Sequence, residues 1–264
     1  MADKAILFDA NRCSACRGCQ VACKEWNERE ATETEFTGSY ENPPHLSGNT
    51  WLRMRFDEVV RAGKLSWLFT RNSCMHCTNA SCAKVCPVGA ITHTEEGFVH
   101  IDQEWCIGCG TCTEACPFHI PKLNHHEGTA MKCQACTSVG LNRLTAGAEP
   151  ACVKSCPPDA LRYGDRTEMV ALGKQRVADL KANGKTNAYL YGENELDGLH
   201  VLYVLDDNPS VYGLPENPQV ANKDMVAKWL AGLATAGVVA TLPLLWAMQR
   251  RDKAQAKASE GGAK

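Results

Sequence analysis

Aromatic side chains make up only 7% of the 264 residues, and the runs of Leu, Ile and Val are short in the cysteine-bearing part of the chain. That part has little material for an ordinary hydrophobic core. Something besides side-chain burial must organise it, as in small metal-bound domains. A dominant charge is missing too. Lys and Arg total 28 against 30 Asp and Glu, a formal charge of -2, which offers no broad basic surface for nucleic acid. Residues Met1–Asp9 show no apolar signal stretch and no small-residue cleavage pattern, so no cleavable signal is expected.

Cysteine is present in excess. The sixteen form four quartets with none left over: Cys13, Cys16, Cys19, Cys23; Cys74, Cys77, Cys82, Cys86; Cys106, Cys109, Cys112, Cys116; and Cys133, Cys136, Cys152, Cys156. A secreted disulfide scaffold is usually far shorter and lacks this stepping. Three thiolates spaced two residues apart in one loop can converge on three iron corners of a cubane. A fourth, starting or lying within the next helix and facing away, can serve the neighbouring cluster, as the C-x2-C-x2-C-x3-C-P run does in two-cluster ferredoxins. Pro87, Pro117 and Pro157 follow fourth cysteines, where proline fixes the backbone; Cys23 is followed by Lys24 instead. Gly18, Gly108 and Gly110 are read as letting the loops turn closely and freeing amides to point at sulfur. Zinc in four-cysteine sites is the chemical alternative, and the Cys133–Cys136 pair alone would suit it. Haem c is excluded, because the histidine of Cys74-Met75-His76-Cys77 lies inside the pair.

The inner quartets sit in a repeat. Val85–Ile91 leads through a Glu95-Glu96-Gly97 turn to Phe98–Asp102 and the next cysteine loop, which predicts a two-cluster module over 74–122. Short strands are expected at Ala5–Asp9 and Ala160–Tyr163. The simplest closure pairs the first and fourth quartets into an outer module, 1–30 and 123–207. The fold class read from this is α+β: two interleaved two-cluster ferredoxin-like modules plus one C-terminal transmembrane helix. Residues 31–73 read as a surface insertion, with a long loop over 31–50 and a short strand at Trp51–Phe56. Asp165 with Glu168 resembles a capping box that opens a helix to about Ala182, with Met169, Leu172, Val177 and Leu180 on one face and Gly184 as its stop. That helix is expected to brace the core, with partner docking as the alternative. His200–Leu205 reads as a strand, and the prolines of 208–225 mark an extended linker.

Trp229–Met248 is twenty residues without a charged side chain, enough to cross a bilayer, within a helix expected over 226–249. The alternative, a buried soluble helix, is weakened by the basic tail 250–264 that follows. The span has no histidine with which to ligate a b-type haem. The eight histidines, His45, His76, His93, His100, His119, His125, His126 and His200, form no metal-spaced set. Most are expected at the surface or beside the clusters, with His76 a candidate for tuning a potential. Glu25 and Glu28 read as solvated charges, and no catalytic residue is expected.

Three passages carry a family resemblance: Cys13–Asn27, the Thr37–Pro44 loop and Pro150–Pro157. With the quartets and terminal span, the chain resembles the beta subunit of respiratory, membrane-bound formate dehydrogenase, within the four-cluster electron-transfer subunits of molybdopterin oxidoreductases. The resemblance implies four [4Fe–4S] clusters with crossed ligands. Set A would be Cys13, Cys16, Cys19 and Cys156; set B Cys74, Cys77, Cys82 and Cys116. Set C would be Cys106, Cys109, Cys112 and Cys86; set D Cys133, Cys136, Cys152 and Cys23. It further implies a molybdenum or tungsten bis-pterin catalytic subunit and a membrane cytochrome b as partners, with the bilayer and no nucleic acid. Relay for a hydrogenase or a sulfur-compound or nitrite reductase, and a structural iron–sulfur or zinc scaffold, are the competing readings.

Arg250, Arg251, Lys253, Lys257 and Lys264 follow the span, against Lys223 and Lys228 before it. The positive-inside rule therefore puts the C-terminus in the cytoplasm and the cluster domain on the periplasmic side, as a single-pass protein of the cytoplasmic membrane. The resemblance implies export as a folded passenger of a partner with a twin-arginine signal.

Overall fold

A computed structural model describes residues 3–61, 63–223 and 225–261. Met1 and Lys264, which figure in the sequence reading, lie outside them. The chain divides into two units, Met1–Ala221 and Asn222–Lys264.

The first unit is organised on a four-stranded sheet in the order β8-β1-β10-β9. Its strands are β1 (Lys4–Asp9), β8 (Leu161–Asp165), β9 (Tyr189–Tyr191) and β10 (Val201–Leu205). β1 runs parallel to β10 and antiparallel to β8, with Ile6 opposite Val201 and Tyr163. Both central strands are buried, and their alternation divides the core in two. Ala5, Leu7, Leu202 and Val204 face helix α5 (Arg166–Ala182), against Met169 and the half-buried Leu172, Val177 and Leu180. Ile6, Phe8, Val201 and Tyr203 face the opposite way, into the core that holds most of the cysteines. The pairing of β1 with β8 thus brings the start of the first cysteine loop beside the end of the last.

α5 forms where the sequence expects it and braces the sheet, but its start differs. Asp165 occupies the N-cap without a side-chain cap bond. Its carboxylate instead accepts from Lys4 Nζ at 2.9 Å across the β1–β8 edge, so no capping box forms. Gly173 lies inside the helix because a Cβ there would stand 2.6 Å from Leu190 Cδ1 and 3.3 Å from Leu7 Cδ1. The close helix–sheet approach requires glycine.

The cysteine-bearing elements are short: α1 (Gly18–Trp26), α2 (Ser81–Lys84), α3 (Thr111–Ala115) and α4 (Ala151–Lys154). Hairpin β4–β5 (Ile91–His93, Val99–Ile101) falls on the predicted repeat, and β6–β7 (Lys122–Asn124, Thr129–Met131) was not foreseen. The insertion is the main correction. Instead of a short strand, β2 (Arg53–Arg61) and β3 (Lys64–Asn72) pair over their whole length. The base of this hairpin is core: Trp51, Leu52, Met54, Leu68 and Thr70 are buried. Its outer face carries an aromatic group in which Tyr40 meets Trp67 edge-on, with ring centres 5.0 Å apart. Residues 31–46 have no regular structure, as expected of the loop.

The linker is also less extended than its prolines suggest. Pro209–Tyr212 form a 3-10 turn, and the buried Tyr212 hydroxyl donates to Asp206 Oδ1 at 2.5 Å. Asp206 is the acceptor of a polar knot that also takes Arg61 Nη1 at 2.7 Å and Lys185 Nζ at 2.8 Å.

The second unit is helix α6 (Met225–Gly261), with Pro243 inside it. It continues past Met248 into the basic tail. Trp229–Arg251 is apolar and long enough to cross a membrane, with mean hydropathy 1.8 and no buried share. Thr235 Oγ1 donates to Ala231 O at 2.9 Å, so this hydroxyl is satisfied within the helix.

Candidate metal centres

The four cysteine loops repeat one backbone device. The second residue after each first cysteine lies in the left-handed region: Ala15 (φ 54°), His76 (φ 48°), Gly108 (φ 65°) and Ala135 (φ 52°). In three of the loops that residue's N–H donates back to the first cysteine's Sγ. The distances are 3.4 Å for Ala15 to Cys13, His76 to Cys74 and Ala135 to Cys133. Successive amides turned inward in this way form an anion-binding concavity, suited to sulfur. The strain of placing L-residues there is about 1–3 kcal/mol each and persists only where the surroundings impose it. Glycine marks this position in one loop of four, so the sequence alone could not reveal the others. Gly108 is required twice over, since a Cβ there would stand 2.1 Å from the Gly128 carbonyl oxygen on the β6–β7 turn. Gly18, by contrast, opens α1, where an added Cβ would lie 3.1 Å from the Ser155 carbonyl.

The placement of the fourth cysteines also differs from expectation. Cys82, Cys112 and Cys152, the third of each quartet, lie within α2, α3 and α4, and Cys86, Cys116 and Cys156 follow just after. Only Cys23 lies inside its helix, α1.

None of the sixteen cysteines is paired in a disulfide. Cys13, Cys16, Cys19 and Cys156 line one cavity together with Arg17 and Met54. Burial pushes the Cys13 thiol up to about 11; the Ala15 amide opposes this, and the neighbouring Cys156 and Cys16 add to it. Cys23 is raised by burial and then by Cys133, Cys152 and Cys136, all of the fourth quartet. Cys77 is raised by burial, then by Cys74, Cys116 and Cys82. Cys112 is pushed up to about 12 by burial, with Cys82, Cys106 and Cys109 adding. Cys86, Cys106 and Cys77 pack against one small core that contains Cys82 and Cys112. Thiols crowded and buried this way resist ionising on their own, and iron must displace their protons. Among the described residues no three of His, Cys, Asp and Glu converge closely enough for one ion. Cubane ligands bind different irons and stand wider apart than the ligands of a single zinc.

Two buried cations among the thiols were not singled out in the sequence. Arg71, on β3, is 1% exposed, with Nη2 4.0 Å from Cys152 Sγ. Burial opposes its charge, but Cys152, Tyr203, Cys133 and Cys19 outweigh this and hold it firmly protonated. Lys132, also 1% exposed, donates to Val99 O at 2.5 Å and Cys133 O at 3.0 Å. Its charge acts on Cys74 and Cys82. Charged residues are almost never fully buried without a counter-charge, so only the fold could reveal them.

His45, His93, His119, His125 and His126 are exposed and His100 half-buried, but His76 and His200 are core residues. Val99 N–H donates to His76 Nδ1 at 3.0 Å, and burial holds this imidazole well below its usual pKa. A neutral ring accepting at Nδ1 carries its proton on Nε2, and that atom has no partner among the described residues. A buried donor inside a cysteine loop fits a sulfur-rich ligand. His200 bridges Asp3 Oδ1 at 2.7 Å and the His76 carbonyl at 2.9 Å. Glu25 and Glu28 are exposed, as expected.

Two family models of the 4Fe-4S dicluster domain match, over residues 12–90 and 65–166. The iron–sulfur subunit of the nitrate-inducible formate dehydrogenase of Escherichia coli is 43% identical over 247 residues, spanning 91% of this chain and 82% of that protein. The chain belongs to the family of formate dehydrogenase iron–sulfur subunits. Another such subunit, from Haemophilus influenzae, is 42% identical over 248 residues, 89% of this chain and 78% of that one. The electron transfer subunit of thiosulfate reductase from Salmonella typhi is 40% identical over 159 residues, 60% of this chain and 74% of that one. As a formate dehydrogenase iron–sulfur subunit with two dicluster domains, the chain carries 4Fe-4S clusters.

Proposed function

We propose that this chain relays electrons through four [4Fe–4S] clusters, between a pterin-dependent formate dehydrogenase catalytic subunit and a membrane cytochrome b that serves quinone. When bound, the clusters supply one-electron redox chemistry. The protein's part is to hold them in place, exclude water and set their potentials through amide donors and buried charge. The ligand sets are A to D as defined above, within two interleaved modules. The observation that carries this reading is the single cavity lined by Cys13, Cys16, Cys19 and Cys156. The influence of the fourth quartet on Cys23, of Cys74 on Cys116 and of Cys116 on Cys77 supports the crossing elsewhere.

Metal and sulfide analysis of anaerobically purified protein tests the count: about sixteen irons and as many labile sulfides per chain are expected. Stoichiometric zinc without labile sulfide would sink the proposal. The thiosulfate reductase relative favours a second reading, relay to a sulfur-compound reductase. Assay of the native complex with formate, hydrogen and sulfur compounds separates them; sulfur-compound activity without formate-dependent dye reduction would select the second.

The apolar helix is proposed as a single membrane anchor, with the cluster unit periplasmic and the C-terminus cytoplasmic. Its support is the basic count after the span. Protease added to spheroplasts is expected to degrade the cluster unit and spare a tag after Lys264. The opposite pattern would reverse the orientation.

A further inference from the structure

We propose that Arg71 is a fixed redox-tuning charge shared by cluster sets A and D, raising the reduction potentials of both. This rests on the ligand assignment above. Arg71 projects from β3 opposite Met54, on a hairpin that contributes no cysteine. Its side chain is fully buried, and its Nη2 approaches Cys152 of set D at 4.0 Å. Its cross-strand neighbour Met54 lines the cavity of set A, and its charge acts on Cys19 of set A and on Cys23 of set D. Nε and Nη1 have no hydrogen-bond partner among the described residues. A guanidinium cannot escape such a site by losing its proton, and burying it unpaired is strongly unfavourable.

The charge that balances it must come from what the thiols hold. A cubane with four thiolates is a net anion, and each added electron makes it more negative. A permanent cation beside two such anions stabilises the reduced form of each. No bond and no proton moves in this step. One electron arrives from the neighbouring redox centre and leaves to the next, while Arg71 stays charged throughout. Arginine suits the role better than lysine, whose pKa shifts readily on burial and would then depend on the redox state. Lys132 acts on Cys74 and Cys82 of set B, so that set has a cation of its own, and sets B and C serve as the internal reference.

The test uses the full-length chain in its native complex, purified anaerobically, with Arg71→Gln and Arg71→Lys variants. Cluster content is counted, and each cluster's potential is read by redox titration followed by electron paramagnetic resonance. In Arg71→Gln, two of the four clusters are expected to become harder to reduce by at least tenfold, about 59 mV for one electron. The other two move less, and Arg71→Lys restores at least half of the shift. Unchanged potentials in a fully loaded Arg71→Gln protein would overturn the proposal. If Arg71→Gln fails to load clusters, guanidinium labelled with nitrogen-15 decides. An arginine nitrogen coupled to reduced clusters in the unmodified protein and lost in Arg71→Lys supports the proposal; no difference between the two overturns it. Failure of the underlying assignment would show separately, as zinc or fewer than four clusters in the unmodified protein.

Discussion

Residues 53–72 and 74–122 adjoin in the chain but are held together by different physics. The hairpin β2–β3 pairs nine residues on nine, sets its own aromatic rings edge to face, and inserts Met54, Leu68 and Arg71 into the core. The stretch that follows contains strands of three residues and helices of four and five. Its small core counts Cys82 and Cys112 among its buried members. Elements so short cannot hold themselves together. One region folds by packing; the other needs its ligand.

Removal of the clusters by oxidation and chelation should break this comparison open with the largest effect. Amide exchange at 91–101 is expected to rise to the level of unfolded chain, while amides of 53–72 keep measurable protection. Equal loss in both would mean that the hairpin has no independent stability. Next comes Phe98, fully buried, with ring contacts to His76, Tyr163 and His200 that tie the short hairpin to the sheet. Phe98→Ala should cost about 3–5 kcal/mol in denaturant unfolding of the loaded protein.

The hairpin's anchor offers a smaller, pH-dependent effect. Burial alone would raise the Asp206 carboxyl, but hydrogen bonds from Arg61, Lys185 and Tyr212 outweigh it and hold the pKa at about 2. A depressed carboxylate stabilises the fold above its unfolded pKa, and this contribution disappears as pH falls from about 4 towards 2. It amounts to about 2 kcal/mol, and Asp206→Asn should flatten that part of the stability-against-pH curve. A slope identical to that of the unmodified protein would show that the knot does not contribute. The smallest effect is expected at Asp165, which pairs with a partly exposed lysine and does not cap α5. Asp165→Ala should cost within about 0.5 kcal/mol; a loss above about 1 kcal/mol, the usual value of a cap, would mean that the cap forms in solution.

Much of the site could be read in advance because ligand spacing is local. Three cysteines two residues apart constrain one loop regardless of what surrounds it, and the Glu95–Gly97 turn announces its hairpin in the same short range. The strands at Ala5–Asp9 and Ala160–Tyr163 were legible by composition, and their pairing followed from the symmetry of the quartets. The hairpin 53–72 was not. Its strands carry Arg and Asp at partly buried positions, and this blurs the apolar alternation on which strand reading depends.

By itself, the sequence determined the number and grouping of the thiols, the two-cluster repeat and the apolar length of the last helix. Each is a property of residues close together in the chain. The tertiary structure alone decided where Asp165 spends its carboxylate, and that Arg71, His76 and Lys132 lie buried among the cysteines. Those outcomes depend on burial, and burial is set by residues far apart in sequence that the β1–β8 and β1–β10 pairings bring together.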